Sequence, residues 1–239
     1  MRDVLTSFER WRNWMLLEHG PSIQSSLPVL HEKYQGALKK RLESGPLKTH
    51  FYFGCGYDVK HEKYADWDLC DLREVPGILL WDILLGFPYA DGSLEHVKSK
   101  LTLGMMTQDQ ARFVIRESSR CLKDGGTFEL TFRDFDLLLG RRDELDRKMF
   151  VRYIYGSGLY YGSRRRSCWT SQWVQEIAED YKLFVTKQSS RGMNTTLILT
   201  RLDGGTDLKA FTPEPVVKFD DDGEMHNEGG DFDYAYRNK

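Results

Sequence analysis

The run Phe51-Tyr52-Phe53 leads straight into Gly54-Cys55-Gly56, and two further apolar runs each end in a carboxylate: Ala65-Asp66-Trp67-Asp68 and Ile78-Leu79-Leu80-Trp81-Asp82. An apolar run ending in Gly-x-Gly reads as a buried strand feeding a tight turn, where the missing Cβ lets backbone pass close to a ligand. In a parallel α/β sheet all such strand ends line one edge, and ligands bind there. One glycine turn beside two acids suits a nucleoside, whose ribose diol and exocyclic amine are donors that carboxylates accept from. The ordinary alternative for Asp68 and Asp82 is strand-end or helix-capping duty. Asp71 competes with Asp68 for the diol, with Asp68 preferred.

Two phosphate-binding designs are excluded. The chain has no Gly-x-x-x-x-Gly-Lys-Ser/Thr loop, and Val59 stands where a dinucleotide fingerprint needs its third glycine. From Gly54 and Gly56 alone, two readings stay open: a nucleoside cofactor without a bound pyrophosphate, or a purely structural turn.

The stretch that follows decides between them by resemblance. Gly86-Phe87-Pro88-Tyr89-Ala90-Asp91-Gly92-Ser93-Leu94-Glu95 precedes a helix that runs into Arg120-Cys121-Leu122-Lys123-Asp124-Gly125-Gly126. Together with Phe53 to Gly56, this order resembles the class I S-adenosylmethionine-dependent methyltransferases, in particular their small type-11-like branch. The likeness covers about residues 49 to 132, with a weaker continuation to about 202. It implies a Rossmann-like α/β sheet, mostly parallel, closed by an antiparallel hairpin and flanked by helices on both faces. It implies S-adenosylmethionine as cofactor, with Gly54, Cys55 and Gly56 under its methionine and ribose. Asp68 would take the ribose hydroxyls and Asp82 the adenine amine, with Ile83 beside the ring. The implied activity is methyl transfer to a small-molecule or glycan-type acceptor; the alternative is an inactive methyltransferase-like protein that engages a partner.

Three positions depart from the pattern. Asp124 replaces a proline, Glu95 an aspartate, and Leu103-Gly104-Met105 stands where many relatives carry Leu-Glu-His. The last change removes the obvious proton acceptor, so no catalytic residue is assigned. His96, inside a strand, reads as a packed histidine.

The elements that must position these residues follow from periodicity. Val4, Phe8, Trp11 and Met15 share a helical face, and Leu27, Leu30, Tyr34, Leu38 and Leu42 share another, so residues 1–46 form a helical extension. The methyltransferase-like domain that the resemblance implies spans 47–202. In it, 94–101 reads as a fourth strand and 127–132 as a fifth. Thr107 with Gln110 forms a capping box and Thr170 caps a later helix. The resemblance makes 183–187 and 195–202 the closing antiparallel hairpin. An insertion at about 140–169 has a helical part at 141–155. It continues as a Tyr/Gly-rich stretch ending in Arg164-Arg165-Arg166. The family commonly covers its acceptor with such a lid, which makes Tyr160, Tyr161 and Arg165 the candidate substrate contacts. The arginines would offer bidentate contacts to carboxylate or phosphate; the ordinary alternative, which is preferred, is a solvated basic loop paired with nearby acids.

Charge and composition set the remaining expectations. Residues 203–239 hold ten acids against four Lys/Arg, a net of −6, while the rest carries +4. This Gly/Asp/Pro-rich tail reads as flexible, and its Phe and Tyr residues keep a protein partner in view. With pI ≈ 6.3 and no extended basic face, nucleic-acid binding is disfavoured. No segment has transmembrane length. The four cysteines lack paired spacing, which favours reduced thiols in the cytoplasm. The six histidines form no ligand cluster along the sequence, and no metal is expected.

Overall fold

The computed structural model describes residues 2–56, 61–156 and 164–203. Seven strands make one mixed sheet in the order β3-β2-β1-β4-β5-β7-β6. They are β1 (His50–Phe53), β2 (Trp67–Asp71), β3 (Leu79–Leu80), β4 (Leu94–Lys100), β5 (Leu122–Arg133), β6 (Leu183–Arg191) and β7 (Asn194–Arg201). The first five are parallel. β7 runs antiparallel to β5 and β6 antiparallel to β7, which closes the sheet.

Helices lie on both sides. Phe51 and Phe53 alternate with His50 and Tyr52 along β1, so the first pair faces the larger core. Over that face pack α1 (Arg2–His19), α2 (Leu27–Glu43), α3 (Gln108–Cys121) and α6 (Ser171–Glu179), through Trp11, Tyr34, Val114 and Val174 among others. On the other face a smaller cluster joins Tyr52, Cys55, Leu69 and Ile78. Two further helices, α4 (Phe135–Gly140) and α5 (Arg147–Tyr155), follow β5, and Tyr153 of α5 stacks on Arg133 of that second face.

The capping signals hold locally. Gln110 N–H donates to Thr107 Oγ1 (3.3 Å) and Thr107 N–H to Gln110 Oε1 (2.9 Å), which starts α3. Trp173 N–H donates to Thr170 Oγ1 and starts α6. Several strand boundaries differ from expectation: β5 begins at Leu122 rather than 127, and β6 runs on to Arg191 rather than ending at 187. The second strand is Trp67–Asp71 rather than a run ending at Asp68, and the third is cut to Leu79–Leu80. Only residues 72–78 link β2 to β3, too few for a helical crossover. So short a link suffices because β3 pairs only at Cys70↔Leu79 and Asp71↔Leu80.

Candidate functional site

The carboxyl ends of the parallel strands gather most of the expected residues. Phe53 is the last residue of β1 and pairs with Cys70, so the turn Gly54-Cys55-Gly56 lies level with Asp71, the last residue of β2. Gly54 and Gly56 have φ of +64° and +76°, a region where an L side chain is strained. Gly56 N–H donates to Asp71 Oδ2 at 2.9 Å, joining the glycine turn directly to an acid. Arg73 holds the same carboxylate through its backbone N–H (3.0 Å) and Nε (2.9 Å). A Cβ on Gly56 would meet only Arg73 Nη2, at 3.5 Å, so what covers this spot is the far end of a side chain. At Gly54 the crowding is from the turn after β4: a Cβ would lie 2.1 Å from Thr102 Oγ1.

Asp68 belongs elsewhere. It is the second residue of β2, three short of the strand end, and its side chain turns into the core at 3% exposure. Its Oδ1 accepts from Arg41 Nε (2.8 Å) and Nη2 (2.5 Å), and its Oδ2 accepts from Lys48 N–H (2.7 Å) and Tyr89 O–H (2.8 Å). Burial first, and then Asp68 itself, push the Tyr89 phenol far above its ordinary range. The placing of Asp68 at a ligand-facing strand end is therefore corrected: it ties α2 to the sheet, and the strand-end acid is Asp71.

Asp82 does stand past the end of β3. It caps the short 3₁₀ turn Ile83–Leu85, with Oδ1 accepting from Leu84 N–H at 3.0 Å. Its Oδ2 accepts from the Trp11 indole N–H at 2.6 Å, and Trp11 has no exposed surface. Ile83 is buried beside it. Burial, and secondarily Asp71, push the Cys55 thiol up to about 12, so it is a packed thiol rather than a thiolate nucleophile.

A second cluster forms across the turn after β4. Gly104 C=O accepts from Arg166 N–H (2.8 Å), and Ser167 Oγ–H donates to Met106 C=O (2.7 Å), pinning residues 166–167 to that turn. Arg165 Nη1 fills the space beside Gly104, where a Cβ would come within 2.9 Å. Tyr160 and Tyr161 lie outside the described residues, as does the tail beyond 203.

One group of histidines does come together, against the expectation of none. His50 and His96 pair in register on β1 and β4, and their rings stack at 4.7 Å. A bulge between Leu94 and His96 brings Glu95 to the same spot, so the three have metal-ligating atoms within 4.8 Å of one another. Lys123 holds Glu95 at 2.6 Å. This cluster lies at the amino edge of the strands, away from the glycine turn. Only strand pairing and the bulge bring it together, so the sequence spacing held no sign of it.

No family model and no curated protein matches the sequence. Solved structures similar to it include a Haloferax volcanii chain in complex with the Trm112 methyltransferase activator (14% identity, TM-score 0.46, covering 73% of this chain and 93% of that one). Others are a Pyrococcus horikoshii protein (13%, 0.49, 71% and 88%) and a SAM-dependent methyltransferase of Thermotoga maritima (14%, 0.45, 78% and 98%). The strand order, with its glycine turn after β1 and its closing β6–β7 hairpin, is the arrangement that the sequence resemblance implies. The chain has a class I methyltransferase-like fold. Among the described residues of this methyltransferase-like chain, no helix is long and apolar enough to cross a membrane.

Proposed function

We propose that this protein binds S-adenosylmethionine at the carboxyl edge of β1–β3 and transfers its methyl group to a small acceptor. The observation that carries the reading is the Gly56 N–H bond to Asp71 Oδ2, which couples a positive-φ glycine turn to a strand-end carboxylate. Asp71, in place of Asp68, takes the ribose diol. Asp82 takes the adenine amine, with Ile83 beside the ring, and Gly54, Cys55 and Gly56 underlie the methionine and ribose.

The residues fit such a group on two counts. The cover over Gly56 and Asp71 is the end of the Arg73 side chain, about 30% exposed, which can swing aside without moving backbone. At Asp82 the Trp11 indole N–H already makes the kind of bond an exocyclic amine would make. When bound, the cofactor supplies a sulfonium methyl that is already activated. The chain then has to hold an acceptor in line and exclude water, and such positioning is worth up to about 7–11 kcal/mol. At Gly104, where the family has its Glu-His pair, the guanidinium of Arg165 lies beside the backbone instead.

The same contacts favour a second reading. With Trp11 and Leu84 on Asp82, and Arg73 on Asp71, the edge is self-satisfied, as in a methyltransferase-like protein that serves as a binding component. Calorimetric titration with S-adenosylmethionine and S-adenosylhomocysteine separates the two. Micromolar binding, about −8 kcal/mol, supports the first; a folded protein that binds neither supports the second.

A further inference from the structure

Two guanidinium groups share one cavity at this edge, and among the described residues no carboxylate lines it. Arg133 ends β5, and Arg165 reaches over Gly104 in the turn after β4; Tyr153, Ser167 and Cys168 complete the polar wall above Phe135 and Leu138. The Arg133 guanidinium lies 4.3 Å from the centre of the Tyr153 ring, and its Nε is buried without a hydrogen-bond partner. Burial lowers the Arg133 pKa. Burial, and next the repulsion from Arg133, lower that of Arg165 to about 10; the Tyr153 hydroxyl, which also hydrogen-bonds Arg133, opposes the shift on both groups, and the Cys168 thiol opposes it on Arg165. Two desolvated like charges side by side are tolerated at a cost that an anion between them would remove. The cavity holds ≈ 10 Å³, room for one water-sized group such as a single oxygen of a carboxylate or phosphate.

We propose that Arg133 and Arg165 form an oxyanion subsite that takes the carboxylate or phosphate group of the acceptor. One oxygen of a carboxylate or phosphate fits between the two guanidinium groups, and an unpaired Nε in a protein-lined cavity is a donor left for it. Only the word acceptor rests on the methyl-transfer reading; the anion site stands on the arginines alone. Gly104 is part of the design, because any side chain there would displace the Arg165 guanidinium.

The test titrates sodium phosphate and sodium acetate, separately and at constant ionic strength, into the full chain while its thermal unfolding is followed. Wild type, Arg133→Met and Arg165→Met are compared, and S-adenosylhomocysteine is titrated into each. A saturable rise in the unfolding midpoint with one of the anions is expected in wild type, weakened at least about 10-fold in both variants. The anion that works distinguishes a phosphate from a carboxylate. Each Met variant should fold with a midpoint equal to or above wild type, since it loses an uncompensated cation. A variant that unfolds overturns the proposal, as does a response that is absent in wild type or equal in all three proteins. If wild type responds to the anion but ignores S-adenosylhomocysteine, the cofactor reading falls and the subsite remains.

Discussion

Replacing Asp68 and Asp71 one at a time separates a structural acid from a ligand acid. Asp68→Ala strips four donors at once: two from Arg41, the Lys48 amide and the Tyr89 hydroxyl. Breaking a buried ion pair by removing one partner costs roughly 3–5 kcal/mol. The Arg41 side chain keeps about 19% of its surface exposed, so the lower end applies to the pair. The Tyr89 hydroxyl, left buried, adds about 1–3 kcal/mol, though the terms share one carboxylate and do not add in full. A loss of about 4 kcal/mol is expected, which for a chain of this size lowers the melting midpoint by roughly 8–16 °C. Asp68→Asn keeps the shape and an acceptor and should lose less than half as much. Asp71→Ala loses the Gly56 N–H, the Arg73 backbone N–H and the Arg73 side chain, which is about 30% exposed and can turn to solvent, so about 1–2 kcal/mol of stability is expected. It should, however, weaken S-adenosylhomocysteine binding by at least about 10-fold, since hydrogen bonds to a charged acceptor are worth roughly 1.5–3 kcal/mol each. Urea unfolding and calorimetry read the two effects separately. The reasoning is refuted if Asp68→Ala abolishes cofactor binding while its unfolding midpoint stays at the wild-type value.

Three other outcomes follow from the same contacts. Trp11→Phe keeps most of the apolar volume but removes the indole N–H from Asp82, so a stability loss of about 1–3 kcal/mol is expected by urea unfolding. Its affinity for S-adenosylhomocysteine should rise if Asp82 serves the adenine, and stay unchanged if Asp82 is purely structural. Gly54→Ala forces a Cβ into Thr102 at a positive φ, which should cost about 2–4 kcal/mol; adding Thr102→Ala should recover the crowding part, a coupling that a double-mutant cycle measures. The Cys55 and Cys121 thiols, both pushed up to about 12 chiefly by burial, stay protonated in the folded chain at pH values where the unfolded chain, with thiols near 9.0, loses its protons. Their stabilisation is thus complete below pH 9 and falls as pH rises toward 12, by roughly 1.4 kcal/mol per pH unit for each thiol. A urea midpoint that holds constant from pH 8.5 to 11 would contradict this.

What sequence could reach was whatever depends on near neighbours. The Thr107–Gln110 box, the Thr170 cap, the glycine turn after Phe53 and the closing hairpin are all set within a few residues, and each stands where periodicity, cap chemistry or the resemblance put it. The choice between Asp68 and Asp71 was different in kind. Both fall in one extended run, and only the pairing of Phe53 with Cys70 decides which acid stands level with the turn. A signal was present in Leu69 and Cys70, whose apolar character carries the strand past Asp68 to the next acid. Trp11 on Asp82 is a contact across 71 residues, and Arg133 meets Arg165 only because residues 165–167 lie against the turn at Gly104. Such contacts leave no local pattern to read.

The replacement at Gly104 links the fold to the chemistry. Where the resembled family places an acid near the transferred methyl, this chain has removed the side chain and filled the space with a guanidinium. That exchange inverts the sign of the local field. A carboxylate there would draw a proton from a neutral hydroxyl or amine, whereas two desolvated arginines raise the cost of any approaching cation and lower that of an anion. An acceptor that arrives already ionised needs no base. On the methyl-transfer reading proposed above, the loss of the proton acceptor and the gain of Arg133 with Arg165 would be one change in the kind of acceptor admitted, from a group that must be deprotonated to one that comes charged. Gly104→Glu tests this directly: the new side chain displaces the Arg165 guanidinium and sets a carboxylate beside it, so the response to phosphate or acetate should disappear. A Gly104→Glu protein that keeps the full anion response would show that the two arginines do not act on one ligand.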